Sequence, residues 1–345
     1  MIVQVGPYPE PIGGISVYIK RMKQYMDLIG IKNEVWDTSG VKKKESGVIN
    51  VRLRYMPFRL IQRKDVDIIH YNLCGFKSKI YIGILNKLFF KNRKKIITIH
   101  GDYSTFFLKD RKYIIRALNS FDCIICVKAG DSKRLVDAGV NKPAYDISAF
   151  LFPLKSTENI IPDYISEFIK QKRFIISANA SSMQFFNNID LYGIDMCIDL
   201  VAALKNNNLD IGLIFCLPYI DNDTYYKELV NRINEGGIQE NFLFVHENIE
   251  LWKIIERSNL FIRPTCNDGY GVSVAEAVFC KVPAIASDIC DRPNGTILFK
   301  SRNFKDLFER TVEVIKNYDF FKKKVENVEL IDSLERLLSI YRDWS

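Results

Sequence analysis

Between Leu260 and Ala286 the chain changes its hydrophobic period twice within one short stretch. Leu260 to Arg263 reads as a buried strand, Gly269 and Gly271 mark a turn, a helix opens near Ser273, and Pro283 to Ala286 is a second buried strand. A strand, a crossover helix and a strand of this length close as a parallel pair with the helix laid over one face. The two glycines let the backbone approach a ligand closely, because no Cβ stands in the way. The first N–H groups of the helix have no partner within it and favour an anion in front of them. Asp268 stands before that opening and Glu276 one turn inside it. A phosphate-binding helix start framed by acids that can hold sugar hydroxyls suits a nucleotide-sugar.

The same alternation runs along the whole chain. In the first half, strands are expected at Ile2–Val5, Asn33–Asp37, Asp67–Tyr71, Lys95–His100, Asp122–Val127 and Tyr145–Ser148. Helices are expected from Ile15, at Ser78–Phe90 and at Ser132–Ala138. Lys155 to Pro162, acidic and irregular, reads as a linker. The second half restarts with strands at Arg173–Ala178, Ile211–Leu217, Asn241–Val245 and Leu260–Arg263, and helices at Ile194–Lys205 and Tyr225–Asn234. Strands alternating with helices at this spacing imply doubly wound parallel sheets. The expected architecture is therefore α/β, two Rossmann-like domains at residues 1–160 and 161–328. The end of the chain, residues 329–345, is expected to be helical.

Composition narrows the function classes. The 345 residues are 48% hydrophobic and 26% charged, as in a globular protein. No apolar run approaches the ~18 residues that span a bilayer. Met1 opens directly into a strand without a basic leader, so a cytoplasmic location is expected. The eight cysteines are scattered in apolar contexts and read as reduced, buried thiols. In Cys123-Ile124-Ile125-Cys126 an extended strand would turn the two sulfurs to opposite faces, which argues against zinc or redox use. Residues 1–165 carry 28 Lys and Arg against 15 Asp and Glu, a net of +13, whereas the remaining 180 carry 21 against 26, a net of −5. A basic half points to an anionic partner: a nucleic acid, a membrane surface or a lipid-linked diphosphate. The helix Ser78–Phe90 with its basic flank Lys91-Asn92-Arg93-Lys94-Lys95 is the candidate for peripheral membrane contact.

Two further sites stand at the ends of strands, where open α/β sheets bind ligands. Gly13-Gly14 follows the first strand and opens a helix, but the loop matches neither G-x-G-x-x-G nor a P-loop. His100-Gly101-Asp102 ends another strand, and His100 is the histidine best placed for function. Asp221-Asn222-Asp223 has the spacing of a metal-binding D-x-D, although it lies at a polar turn.

Asp268, seven residues and then Glu276-Ala277, followed by Lys281-Val282-Pro283-Ala284-Ile285-Ala286-Ser287-Asp288, resembles the signature of retaining glycosyltransferases of the family-4 type. That family usually has glutamate at both acids; here the first is aspartate. The resemblance implies the GT-B fold, with its two domains facing a cleft and the terminal helix crossing back to the first. It implies a second domain that binds the nucleotide, with the base near Val245–Glu250, including His246, and the ribose on Glu276. By the same resemblance Asp268 contacts the donor sugar, His100 lies near it, and Gly13-Gly14 packs against the diphosphate. The donor site would draw further on Asn179, Tyr192, Arg263, Gly269, Tyr270, Gly271, Val272 and Ser273. No cofactor and no metal are implied, the nucleotide-sugar being a substrate. Such enzymes build bacterial surface polysaccharides (O-antigen or capsule) on lipid-linked oligosaccharide acceptors at the inner face of the cell membrane.

The sequence departs from the family at one place. Many members carry an arginine after the first strand of the second domain and a later Lys-Gly, which hold the diphosphate. Here Asn179-Ala180-Ser181-Ser182 has no arginine, and Tyr192 stands before Gly193 where lysine is expected. Amides at Gly14 and Gly271–Ser273, or the guanidinium groups of Arg263 or Arg292, are the candidates to compensate. The departure leaves an alternative, a non-catalytic GT-B partner that stabilises another transferase. A nicotinamide-type Rossmann enzyme lacks its glycine fingerprint here, and no nucleic-acid-binding module is visible.

Overall fold

The computed structural model describes residues 1–73, 75–90, 92–100, 112–155 and 160–344. The chain forms two compact units, one of Met1–Leu154 with Asp332–Ser345 and one of Lys155–Ile331.

In the first unit seven parallel strands form one sheet: β1 Ile2–Gly6, β2 Asn33–Asp37, β3 Val48–Asn50, β4 Ile68–Tyr71, β5 Lys94–Ile99, β6 Cys123–Cys126 and β7 Ala144–Asp146. Their order is β3-β2-β1-β4-β5-β6-β7. The chain winds outward from β1 to β3, then crosses to β4 and winds the other way, so the switch point lies between β1 and β4. Right-handed crossovers then put the β1–β2 helix on one face and the later helices on the other.

The residues sort accordingly. Val3, Val5, Ile69, Tyr71, Ile97 and Ile99 pack against Met56 and Leu60 of the helix Met56–Gln62, Ile82 and Leu85 of the helix Phe76–Phe89, and Ile114 and Leu118 of the helix at 112–118. Gly83 faces Ala117 so closely that a Cβ there would lie 2.7 Å from the alanine Cβ, which brings the last two helices into backbone contact. On the other face Ile19 and Met22 of the helix Gly14–Leu28 are buried. Cys126 lies in the first-face core, whereas Cys123 is buried with its thiol pushed up to about 12, burial being the main cause.

The C-terminal helix Ser333–Trp344 belongs to the first unit. Its Tyr341 hydroxyl lies 2.5 Å from His70 Nδ1, and the other ring nitrogen of His70 lies 2.7 Å from Thr98 Oγ1. All three side chains are buried, so His70 ties this helix to the middle of the sheet.

The second unit has six parallel strands, β8 Phe174–Asn179, β11 Ile211–Cys216, β12 Phe242–Val245, β13 Leu260–Arg263, β14 Ala284–Ser287 and β15 Ile297–Phe299, and a separate hairpin of β9 Phe185–Phe186 and β10 Ile189–Asp190. The sheet order β12-β11-β8-β13-β14-β15 puts its switch point between β8 and β13. The hairpin turns at Asn187 and Asn188, both at positive φ, as its two-residue turn requires.

The expected strands all form, most with ends shifted by a residue or two. Among the described elements, β3, the hairpin, the helix Met56–Gln62 and the helix Asp163–Lys170 just after the expected linker are short ones that were not anticipated. Each is eight residues or fewer, too short for a hydrophobic period to emerge. Asp221 and Asn222 serve local structure: Asp221 accepts the Met183 N–H at 2.8 Å, and Asn222 caps the helix Asp223–Glu235 through the Tyr225 N–H at 3.0 Å. Among the described residues no helix is long and apolar enough to cross a membrane.

Burial pushes the His70 imidazole down to about 3, so the fold holds it neutral. A histidine with a folded pKa below its unfolded value contributes stability that is intact above about pH 6.5 and is lost as pH falls toward 3. By pH 4.5 the loss from His70 is expected to reach roughly 2–3 kcal/mol. Thermal unfolding of a His70→Gln variant should therefore lose less between pH 7 and pH 4.5 than wild type loses. Equal losses would show that His70 is not held neutral.

Candidate active site

The sequence-predicted residues fall into two groups, one in each unit. In the second unit Asn179 ends β8 and Arg263 ends β13, the two strands that flank the switch point. Arg263 Nη1 bridges them, donating to the Asn179 carbonyl at 2.9 Å and to its side-chain oxygen at 3.3 Å. The guanidinium also lies 4.9 Å from the centre of the Tyr192 ring, which supports it as a cation on a π face.

Asp268 completes the arrangement. Its Oδ2 accepts from Arg263 Nε at 3.3 Å and from Arg292 Nη1 at 2.9 Å, and its Oδ1 accepts the Gly269 N–H at 2.9 Å. Burial raises its pKa, but the two guanidinium groups and these hydrogen bonds more than offset that, leaving the carboxyl below its ordinary range. Asp268 is thus a carboxylate shared by two arginines. Arg292, whose side chain is only 2% exposed, also donates to the Ser287 carbonyl at 3.0 Å and to its hydroxyl at 3.1 Å. Ser287 ends β14, so the carboxyl ends of three adjacent strands converge on this cluster.

The helix Val272–Phe279 starts beside it. Its N-cap, Gly271, has φ +81°, and a Cβ there would lie 2.5 Å from Arg292 Nη1, so backbone conformation and the arginine both require glycine. No side chain caps this helix and no acid lies in its first turn. The leading amides, at Val272 and Ser273, are disposed as an anion site. Tyr270 is half-buried in the preceding turn. Glu276 sits one turn in and is 4% exposed.

A second helix start in the same unit is occupied by the protein itself. Asp190, the buried last residue of the hairpin, accepts the N–H groups of Tyr192 at 2.9 Å, Gly193 at 3.0 Å, Ile194 at 2.9 Å and Asp195 at 3.3 Å. It also takes the Tyr225 hydroxyl at 2.8 Å. These are the leading amides of the helix Ile194–Asn206, where family members place their Lys-Gly. The backbone at Tyr192 and Gly193 is therefore committed to Asp190, and Tyr192 contributes its ring beneath Arg263. Sequence reading missed Asp190; the signal was Asn187-Asn188 between Phe186 and Ile189, a hairpin turn that places an acid ahead of a helix.

His246 ends at the far edge of the sheet after β12 and does not join this cluster. Its Nδ1 lies 2.8 Å from the Leu217 carbonyl, its Nε2 3.0 Å from the Tyr226 hydroxyl, and its ring stacks on Phe244.

In the first unit His100 follows β5, with Nε2 3.0 Å from Asn72 Oδ1 and its ring edge-on to Tyr18. Burial, with His70 and Lys79 nearby, pushes His100 down to about 3. It is a neutral hydrogen-bonding group and not a cation at neutral pH. Gly13 caps the helix Gly14–Leu28 with extended backbone, and its N–H donates to Ser16 Oγ at 2.9 Å. A Cβ at Gly13 or Gly14 would meet nothing within 4 Å. The fold does not itself demand glycine there; what glycine provides is open space before the helix. Asp102, expected near His100, lies outside the described residues.

Asp190 carries the testable load of the second unit. Removing a buried acceptor of four amides strands them all, and Asp190→Ala is expected to cost about 3–5 kcal/mol in urea unfolding. Exposed Asp223→Asn, at another helix start, should cost under about 1 kcal/mol. Similar losses in both variants would refute the role given to Asp190.

Comparison with known proteins bears on the fold. Residues 185–332 match the family model of the glycosyl transferases group 1, and this span contains the hairpin, the arginine cluster and the helix Val272–Phe279. An uncharacterized glycosyltransferase of Methanocaldococcus jannaschii is 21% identical over 92% of this chain and 88% of its own length. Among solved structures, a glycosyltransferase from Rickettsia africae superposes with a TM-score of 0.72 at 13% identity, over 99% of this chain and 98% of the other. Sucrose-phosphate synthase from Thermosynechococcus elongatus gives 0.71 at 13%, over 99% and 98%. HepE of Anabaena, solved in complex with UDP, gives 0.65 at 14%, over 98% and 94%. The fold is GT-B, two Rossmann-like α/β units, and the match over residues 185–332 with the full-length relative supports an enzyme of the glycosyltransferase group 1 type.

Proposed function

We propose that the chain transfers a sugar from a nucleoside-diphosphate sugar to a hydroxyl of a lipid-linked glycan acceptor, with retention at the anomeric carbon, in the building of a bacterial surface polysaccharide. The observation that carries the donor half is the pair Arg263 and Arg292, fixed on one oxygen of Asp268 beside the uncapped start of the helix Val272–Phe279. HepE, which shares the fold, has been solved with UDP-glucose, so a uridine nucleotide is the first donor to test.

The roles follow from the chemistry of each group. The amides of Val272 and Ser273 and the Arg263 guanidinium take the diphosphate, whose charge grows as the glycosidic bond breaks, while the buried Arg292 holds Asp268 in place beside them. Arg263 uses Nε and Nη1 within the protein, and its Nη2 has no partner among the described residues. Arg263 stands in for the cations that the family places before β9 and ahead of Gly193. Glu276 holds the ribose hydroxyls, and Asp268, kept ionised by its arginines, contacts the donor sugar. By the family resemblance, the first unit would contribute a neutral imidazole at His100 and the open loop at Gly13-Gly14. The reading includes no metal: helix amides and guanidinium groups supply the positive field. Attack comes from the face that the leaving diphosphate vacates, with the diphosphate accepting the proton of the incoming hydroxyl.

Calorimetric titration with UDP, GDP, dTDP and ADP, without added metal, tests the donor site. One nucleotide is expected to bind, with Glu276→Ala and Arg263→Ala each weakening it at least tenfold, about 1.4 kcal/mol. Arg292→Lys should weaken the diphosphate more than the corresponding nucleoside, because lysine cannot reproduce the fork that reaches both Asp268 and Ser287. A folded protein that binds none of the four would overturn the reading in favour of a non-catalytic partner subunit.

A further inference from the structure

The helices Met56–Gln62 and Phe76–Phe89 are apolar on two faces, and a helix covering a sheet needs only one. Their inner faces, with Met56, Leu60, Ile82 and Leu85, fill the first-unit core. Their outer faces also carry large apolar side chains: Phe58 is 69% exposed, Ile61 58%, Ile84 53% and Leu88 65%. The spacing is helical in each case, three or four residues apart, so each set forms one ridge. The two ridges lie on the same side of the sheet, and Arg93, after the second helix, donates to the Leu60 carbonyl of the first at 2.6 Å. Tyr55, Tyr81 and Tyr113, from this pair and the next helix along, are exposed around them.

Lys and Arg predominate around this face, with Asp65 and Asp67 between its two basic stretches and Asp65 paired with Arg63. Residues 46–64 contain no Asp or Glu and five Lys or Arg; residues 68–101 contain none and seven. Arg52, Arg54, Lys77 and Lys87 of these stretches are exposed. Two Lys/Arg-bearing helices that show water an aliphatic and aromatic ridge match an anionic bilayer: apolar tips enter the acyl boundary, tyrosines sit at headgroup depth and the cations meet phosphates. A protein partner would more often call for mixed charges at the rim.

We infer that this face, built on Phe58, Ile61, Ile84 and Leu88 with its basic rim, docks the first unit onto an anionic lipid surface. The inference deepens the proposed function, since a lipid-linked acceptor is presented at such a surface, and it rests on that reading for its purpose but not for its geometry.

Co-sedimentation of the full chain with phosphatidylcholine vesicles, with and without about one-third phosphatidylglycerol, tests it. Binding is expected to the anionic vesicles only and to weaken as salt rises. Phe58→Asp and Leu88→Asp, placed on exposed positions, should each lower partitioning at least tenfold while circular dichroism and nucleotide binding stay unchanged. No binding to anionic vesicles, equal binding to neutral ones, or full binding by both variants overturns the inference. A concentration-dependent dimer that either variant abolishes, without vesicle binding, would give the face to a second copy of the chain and also overturn it. Because nucleotide binding is read in the same samples without lipid, a failed donor site and a failed docking face give different results.

Discussion

Much of the second unit's candidate site depends on one carboxylate oxygen. Asp268 Oδ2 receives Arg263 from the end of β13 and Arg292 from beyond β14. Two like charges brought this close repel unless an anion lies between them. Once that is in place the remaining geometry follows. Gly271 must be glycine because Arg292 passes where a Cβ would be, and the helix Val272–Phe279 begins at that glycine. The turn from Asp268 to Gly271 is therefore a mould around the ion pairs as much as a loop before a helix.

This arrangement bears on the proposed compensation for the departure from the family signature. At the start of the helix Ile194–Asn206, Asp190 clasps four backbone amides. With that helix start neutralised, positive charge reaches the switch point from β13 and from the loop after β14. Tyr192, in place of the cation, supports one of the replacements. The shortened acid fits the same account, since Asp268 is held by side chains on adjacent strand ends.

What the sequence made legible was what depends on local period and local chemistry. The strands of both sheets other than β3 and the helix start near Ser273 could be read because each is announced within about ten residues, whereas Asp268, Glu276 and His100 were named as candidates with roles taken from the resemblance. Arg292 could be named only as one of two arginines near enough in sequence; that it shares Oδ2 with Arg263 depends on the register of β13 on β14. His70 looked uninformative because its partner, Tyr341, lies 271 residues away. Asp190 was hidden for the opposite reason: its hairpin is two residues per strand, too short for alternation to show. His246 was named near the base by the resemblance; its hydrogen bonds and ring contacts hold it in an aromatic cluster at the sheet edge.

The first unit shows the same economy with a different currency of forces. Its sheet needs one apolar face from each covering helix, and the close approach at Gly83 and Ala117 shows that the inner packing is already tight. Additional Phe, Ile and Leu side chains on the outer faces therefore add nothing to the core, and in water they carry an unrelieved hydration cost of roughly 25 cal/mol for each Å² of apolar surface. The helix Phe76–Phe89 and its flanks carry no acid from residue 68 to 101, a stretch that also includes the buried strands β4 and β5. The two features answer to different forces, apolar burial and counter-charge. An anionic lipid surface satisfies both at once, because each cation that settles among headgroups holds the neighbouring apolar tips at the depth where their burial is favourable.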